Sequence, residues 1–153
     1  ARISEIANDN PQILGSLKAT GAMFLCNFAG NGNSDGVRNL LDLGVPVDAV
    51  SLHGDPYFGV ARNSTALHVA AWRARHETVQ LLIDRGAEVN ALDAAGSTPL
   101  QLAVKACVDS YWMNRRSPES IEVLVNAGAS RKGISLPTGY AEADALLTVN
   151  RSI

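Results

Sequence analysis

A stretch that runs TALHVAAWRARHETVQLLIDRGAEVNALDAAGS from Thr65 begins again as TPLQLAV at Thr98, 33 residues later. Nothing else in the chain constrains its fold as strongly. A sequence that returns at this period builds small supersecondary units, each of which buries its apolar face only by stacking on the next copy. Thr65 and Thr98 suit a helix N-cap, and Pro99 falls at the first helical position, where its missing N–H costs nothing. In the second half of the unit Val79, Leu82 and Ile83 lie at i, i+3 and i+4. They form one apolar stripe, with Glu77, Gln80 and Asp84 facing outward. Gly86 then stands where a helix needs a left-handed residue to stop.

The same register extends in both directions. Upstream, GVRNLLDLGVPVDAV puts Val37 and Gly44 in the columns of Val79 and Gly86, and AMFLCNFAG puts Leu25 and Cys26 in the columns of Leu67 and His68. Downstream, IEVLVNAGAS puts Ile121 and Gly128 in those columns. The period, the TALHVA and TPLQLA openings and the glycine stops resemble the ankyrin repeat family, closely over residues 61–104 and more loosely over 21–130. The resemblance implies an all-α solenoid of stacked helix-turn-helix units with degenerate terminal caps. A single domain is expected: an N-terminal cap at 1–20, repeat 1 at 21–50, an inserted finger at 51–60, repeat 2 at 61–93, repeat 3 at 94–130 with a lengthened first helix, and a C-terminal cap at 131–153. Repeat 1 departs from the family at Phe24 and Phe28, where proline and alanine are usual, and these rings are expected to pack on the preceding NPQILGSLKATG. The C-terminal cap is expected to contain a helix from about Tyr140 to Val149.

Composition narrows the function. A net charge of −2 and a pI near 5.9 lack the basic excess that supports phosphate binding, so nucleic acid is not an expected partner. No apolar run approaches the length of a membrane span, and the opening ARISEIANDN has no charged and then apolar leader, so a soluble chain without a membrane partner is expected. Cys26 and Cys107 are too few for a disulfide framework or a zinc site. Read as buried free thiols, they fit a reducing, cytoplasmic setting.

Two interruptions break the beat. Gly44 and Thr65 are separated by nine residues more than Gly86 and Thr98, which lengthens the finger to SLHGDPYFGVARNS. Ala103 and Glu119 are likewise separated by nine more than Ala70 and Glu77, which lengthens the first helix of repeat 3. Insertions in a solenoid map to one edge, commonly the edge that binds. By resemblance to the family, partners meet the fingers and the exposed side of the first helices. The expected contact residues are therefore Tyr57, Phe58, Arg62, Ser64, Trp72, Arg73, Ala94, Ala95, Ser97 and Lys105, flanked by Ala61 and Ala106. Trp72 beside Arg73 is the sharpest of these, since Trp and Arg dominate binding hot spots. The competing reading lays Trp72 flat under the finger as local packing.

The expected function is therefore a monomeric, non-enzymatic module that binds another protein, without cofactor, metal or catalytic residues. One alternative is an enzyme, or a regulatory subunit, that uses the finger 51–60; it requires His53, Asp55 and Tyr57 to converge on a pocket. HGDPYFG alone supplies too few ligands for a metal. GNGNSDG follows a predicted helix and lacks the lysine of a phosphate loop, so it reads as a turn between helices. The other alternative is a self-associating stack. The helix running on past Ala103 keeps Leu100, Val104, Cys107, Val108 and Tyr111 on one side with Trp112 on its flank. Either the C-terminal cap or a second copy is expected to cover Tyr111 and Trp112. Arg115 and Arg116 fall at the turn that follows, and Ser117-Pro118 is expected to restart the second helix. His68 matches the histidine of the ankyrin signature, and the resemblance implies a structural role for it, bonded to the neighbouring finger.

Overall fold

The computed structural model describes residues 14–109 and 118–149. Among them the regular elements are α1 (Leu14–Asn31), α2 (Ser34–Asp42), β1 (Val50–Ser51), β2 (Ser64–Thr65), α3 (Ala66–Trp72), α4 (His76–Asp84), α5 (Pro99–Asp109), α6 (Glu119–Asn126) and α7 (Ala141–Thr148). The helices form two layers. The first helices of the repeats make one, with α3 between α1 and α5; the second helices make the other, with α4 between α2 and α6. α7 packs on α6, burying Ala143 and Leu147. Equivalent columns fill the core: Leu25, Leu67 and Leu100 from the first helices and Val37, Val79 and Ile121 from the second are all fully buried. Each such side chain contributes about 1.5–3 kcal/mol of transfer free energy. The solenoid expected from the repeat is the one the chain forms.

Its ends depart from the expected boundaries. Leu14–Asn31 is one continuous helix of 18 residues, so no break separates a cap at 1–20 from repeat 1. Nothing therefore folds back from residues 14–20 onto Phe24 and Phe28. Instead Phe24, 45% exposed, stacks on Phe28 one turn along the same helix, with ring centroids 6.3 Å apart. Residues 1–13 lie outside the described residues, and with them Asn10 followed by Pro11, a pair that suits a helix start. So do Tyr111, Trp112, Arg115, Arg116 and Ser117. The described part of α5 spans 11 residues against 7 for α3, with Lys105 and Asp109 exposed as its stripe predicts.

Local signals act as the sequence suggests. The Thr65 hydroxyl accepts from the His68 amide at 3.4 Å, and the His68 ring returns the bond to the Thr65 amide. Thr98 and Gln101 form the same reciprocal box with bonds of 3.2 and 2.9 Å. Each helix start thereby satisfies amides that have no partner inside the helix. Gly44, Gly86 and Gly128 all adopt positive φ, between 87° and 104°. Ala74 breaks this chemistry. It joins α3 to α4 at φ 56°, where the equivalent turn of repeat 1 has Gly32.

One hydrogen bond recurs between repeats. The residue in one column of each first helix reaches a backbone carbonyl of the next finger: Cys26 Sγ donates to Ser64 O at 3.8 Å, His68 Nε2 to Ser97 O at 2.9 Å and Gln101 Nε2 to Lys132 O at 3.2 Å. Burial pushes the Cys26 thiol up to about 12, so it stays a thiol and keeps its donor proton. His68 is 1% exposed, and its two ring nitrogens have opposite duties. Nε2 faces a carbonyl and must carry the proton, while Nδ1 accepts from the Thr65 amide at 3.1 Å. The fold thus requires the neutral ring. A second tie runs alongside, as Asp48 accepts the Glu88 amide at 2.9 Å and Asn90 accepts the Ser130 amide at 2.8 Å.

Two outcomes follow. Replacing Ala74 with glycine relieves a left-handed alanine at the cost of a more flexible unfolded chain, and the net gain is expected to be about 0.5–1 kcal/mol in a denaturant titration. Burial lowers the pKa of His68 below its usual 6.5. Between the folded and unfolded pKa values the unfolded chain therefore holds the extra proton. The stabilisation is complete above pH 6.5 and is lost as pH falls towards the folded pKa, at up to about 1.4 kcal/mol per pH unit. His68→Gln, which borrows the group that repeat 3 uses, is expected to flatten that decline in Tm measured from pH 7.5 to 5.

Candidate partner-binding surface

The inserted finger is a closed hairpin. Val50 pairs with Thr65 and Ser51 with Ser64, and the Asn63 amide donates to Ser51 O at 2.8 Å. This neck reproduces the ordinary turn of the next repeat, where the Gly96 amide donates to Asp93 O at 3.0 Å. Asn63 and Gly96 both have positive φ. The extra residues 53–61 therefore project from a turn that is already closed beneath them.

Beyond the neck the finger makes its own structure. Asp55 and Val60 exchange two backbone bonds of 2.8 Å. The Asp55 carboxylate accepts the amides of Tyr57 and Phe58 at 3.1 and 3.3 Å, capping the 3-10 turn Pro56–Phe58. Gly59 closes that turn at φ 71°. The result places two aromatic rings at the tip: Tyr57, 88% exposed, and Phe58, 49% exposed, meet edge to face with centroids 4.9 Å apart.

Trp72 is what holds the finger down. Its indole N–H donates to Phe58 O at 2.8 Å, and a Cβ on Gly59 would lie 3.3 Å from the indole ring. The ring is half-buried and lies under the finger, which is the local-packing reading of the two that the sequence offered. The two rings of this junction each carry a cation. The Arg73 guanidinium sits 5.0 Å from the Phe58 centroid and the Lys105 ammonium 5.7 Å from that of Trp72, and exposed contacts of this kind are worth about 0.5–1 kcal/mol. Lys105 occupies, one repeat later, the column of Trp72. A small open cleft remains between Gly59, Val60 and Ala61 of the finger and Val69, Trp72 and Leu102 of the first helices.

Most of the expected contact residues are accessible. Tyr57, Phe58, Arg62, Ala94, Ala95 and Lys105 are exposed, while Ala61, Trp72, Arg73 and Ser97 are half-buried. Ser97 serves through its carbonyl, which His68 takes. Ser64 and Ala106 are corrections. Ser64 is 1% exposed and its hydroxyl donates to Ala61 O at 2.7 Å, and Ala106 is 6% exposed. Both face the stack because strand β2 and helix α5 turn those positions inward. Leu52 and Leu92, 54% and 63% exposed, were missed. They lie in the fingers, and the signal was an apolar residue beside a turn. His53, Asp55 and Tyr57 do not converge: Asp55 is spent on the turn, and the other two are exposed.

Trp72→Phe retains a ring and deletes only the N–H. It is expected to cost about 1 kcal/mol and to speed amide exchange at Asp55 and Val60 while leaving Val79 protected. Unchanged exchange in the finger would show that Trp72 does not anchor it.

Comparison with known proteins agrees with this architecture. The chain is 34% identical over 100 residues to serine/threonine-protein kinase 12 of Arabidopsis thaliana, covering 65% of this chain and 18% of the relative. It is 43% identical over 70 residues to human B-cell lymphoma 3 protein (45% and 14%) and 50% identical over 42 residues to human Rabankyrin-5 (28% and 4%). The chain therefore spans less than a fifth of the length of each. The family description "Ankyrin repeats (3 copies)" matches residues 23–132, most of the chain, and the chain belongs to the ankyrin repeat family.

Proposed function

We propose that the chain is a non-enzymatic, monomeric module that binds another protein through its finger loops and the exposed side of its first helices. Ankyrin repeats are in general protein–protein interaction modules. The observation that carries the reading for this chain is the Trp72–Phe58 bond. It fixes two solvent-facing aromatic rings and two cations on one rigid face, and a preorganised aromatic and basic patch loses little entropy when a partner docks. Arg62, Ala94, Ala95 and Leu92 continue that face along the fingers. The buried free thiols of Cys26 and Cys107 support a reducing, cytoplasmic setting.

The test is capture of partners from the native host by wild type and by a Tyr57→Ala, Phe58→Ala, Arg73→Ala variant. The tip rings and Arg73 lie outside the core, so the helical circular dichroism signal is expected to be unchanged. Partners recovered by the wild type are expected to be lost. Undiminished recovery of all of them by the folded variant would place the binding site elsewhere.

A further inference from the structure

The two layers of the solenoid carry opposite charge. The second helices α2, α4 and α6 hold Asp35, Asp42, Glu77, Asp84, Glu119 and Glu122, all exposed. The first helices α1, α3 and α5 hold a single carboxylate, Asp109. On the binding face the finger's Asp55 is engaged by the turn amides, and Asp93, 7% exposed, accepts the amides of Ala95 and Ser97. Arg62, Arg73 and Lys105 all lie on this face. Among the described residues none of them is paired with a carboxylate, and the ion pairs found there, Arg38–Asp35 and Arg85–Asp42, both involve the other layer. A chain with net charge −2 thus concentrates unpaired cations where its aromatic rings are exposed.

The rings add direction. The faces of Phe58 and Trp72 are already occupied by Arg73 and Lys105, so a cationic partner group would meet a cation rather than a free aromatic face. An anionic group would instead meet a guanidinium and an ammonium whose positions are held by those rings. Resting on the reading of this face as the binding surface, we infer that its partner segment is an acidic peptide, with carboxylates set against Arg73, Lys105 and Arg62 and an apolar side chain at the cleft beside Trp72. Asp109, four residues beyond Lys105, limits the positive field at that end. Three cations on an acidic chain are too few to hold a nucleic acid against salt.

The experiment titrates the whole chain, by fluorescence anisotropy, with three labelled peptides of equal length: alternating Glu and Leu, alternating Gln and Leu, and alternating Lys and Leu. The Glu/Leu peptide is expected to bind tightest and to weaken as salt rises. Arg73→Gln and Lys105→Gln are each expected to weaken it roughly two- to fivefold, the range of exposed charge pairs. Equal binding of the Gln/Leu peptide, no effect of the two substitutions, or comparable binding of a single-stranded oligouridylate would overturn the inference. If those same substitutions still abolish partner capture while no acidic preference is seen, the binding face stands and the acidic partner falls. If capture is untouched by the tip variant, the face itself is wrong.

Discussion

The stack depends on a hydrogen bond that each first helix sends to the next finger. Its chemistry is not the same twice: a thiol from Cys26, an imidazole from His68 and an amide from Gln101 all donate to a backbone carbonyl. The geometry is what persists. A buried carbonyl at the base of a finger needs a donor, and a donor on the preceding helix fixes the spacing between repeats. The sulfur bond is the longest and weakest of the three, and it lies beneath the inserted finger. There the ribbon β1–β2 closes the base of the finger with backbone pairing, as the Asp93 amide does by donating to Ser97 O at 3.1 Å in the ordinary finger.

That pairing explains why nine extra residues do no damage to the register. The bond from Cys26 to Ser64 spans 38 positions and the bond from His68 to Ser97 spans 29, a difference equal to the insertion. The neck is closed by its own backbone pairs, and the surplus chain outside it forms a small hairpin. Such a hairpin is marginal alone. Trp72, Arg73 and the Asp55 cap give it a fixed place on the first helices, converting a tolerated insertion into a defined face. The charge separation between the layers follows the same division: acidic second helices face solvent, and the first helices keep their cations beside the finger.

Much of this was legible in the sequence because repetition exposes columns. Leu25, Leu67 and Leu100 are interchangeable in role, and reading one reads all. The glycine stops and the threonine caps followed from spacing, and the structural duty of His68 from the resemblance to the ankyrin repeat family. The insertion could be counted but not shaped, since no second copy of HGDPYFG exists to align with it. For Trp72 the sequence left partner contact and packing under the finger both open, because the finger residue whose carbonyl it meets is 14 positions away. Ser64 was misjudged for a related reason. In a two-residue strand the side chain that turns inward is set by pairing with β1, which periodicity over so short a run cannot reveal. The boundary expected at residue 20 has no break in the structure, where Leu14–Asn31 is one continuous helix.

The central claim is that the finger is dispensable to the fold and necessary to the face. Excising residues 53–61 tests it most directly, because the remaining Ser51, Leu52, Arg62 and Asn63 would restore the length of the ordinary turn and leave the Asn63-to-Ser51 bond in place. The shortened chain, followed by thermal unfolding and by partner capture in parallel, is predicted to unfold cooperatively as a helical protein and to recover none of the partners that need Tyr57 and Phe58. A folded, shortened chain that still captured those partners would contradict the account.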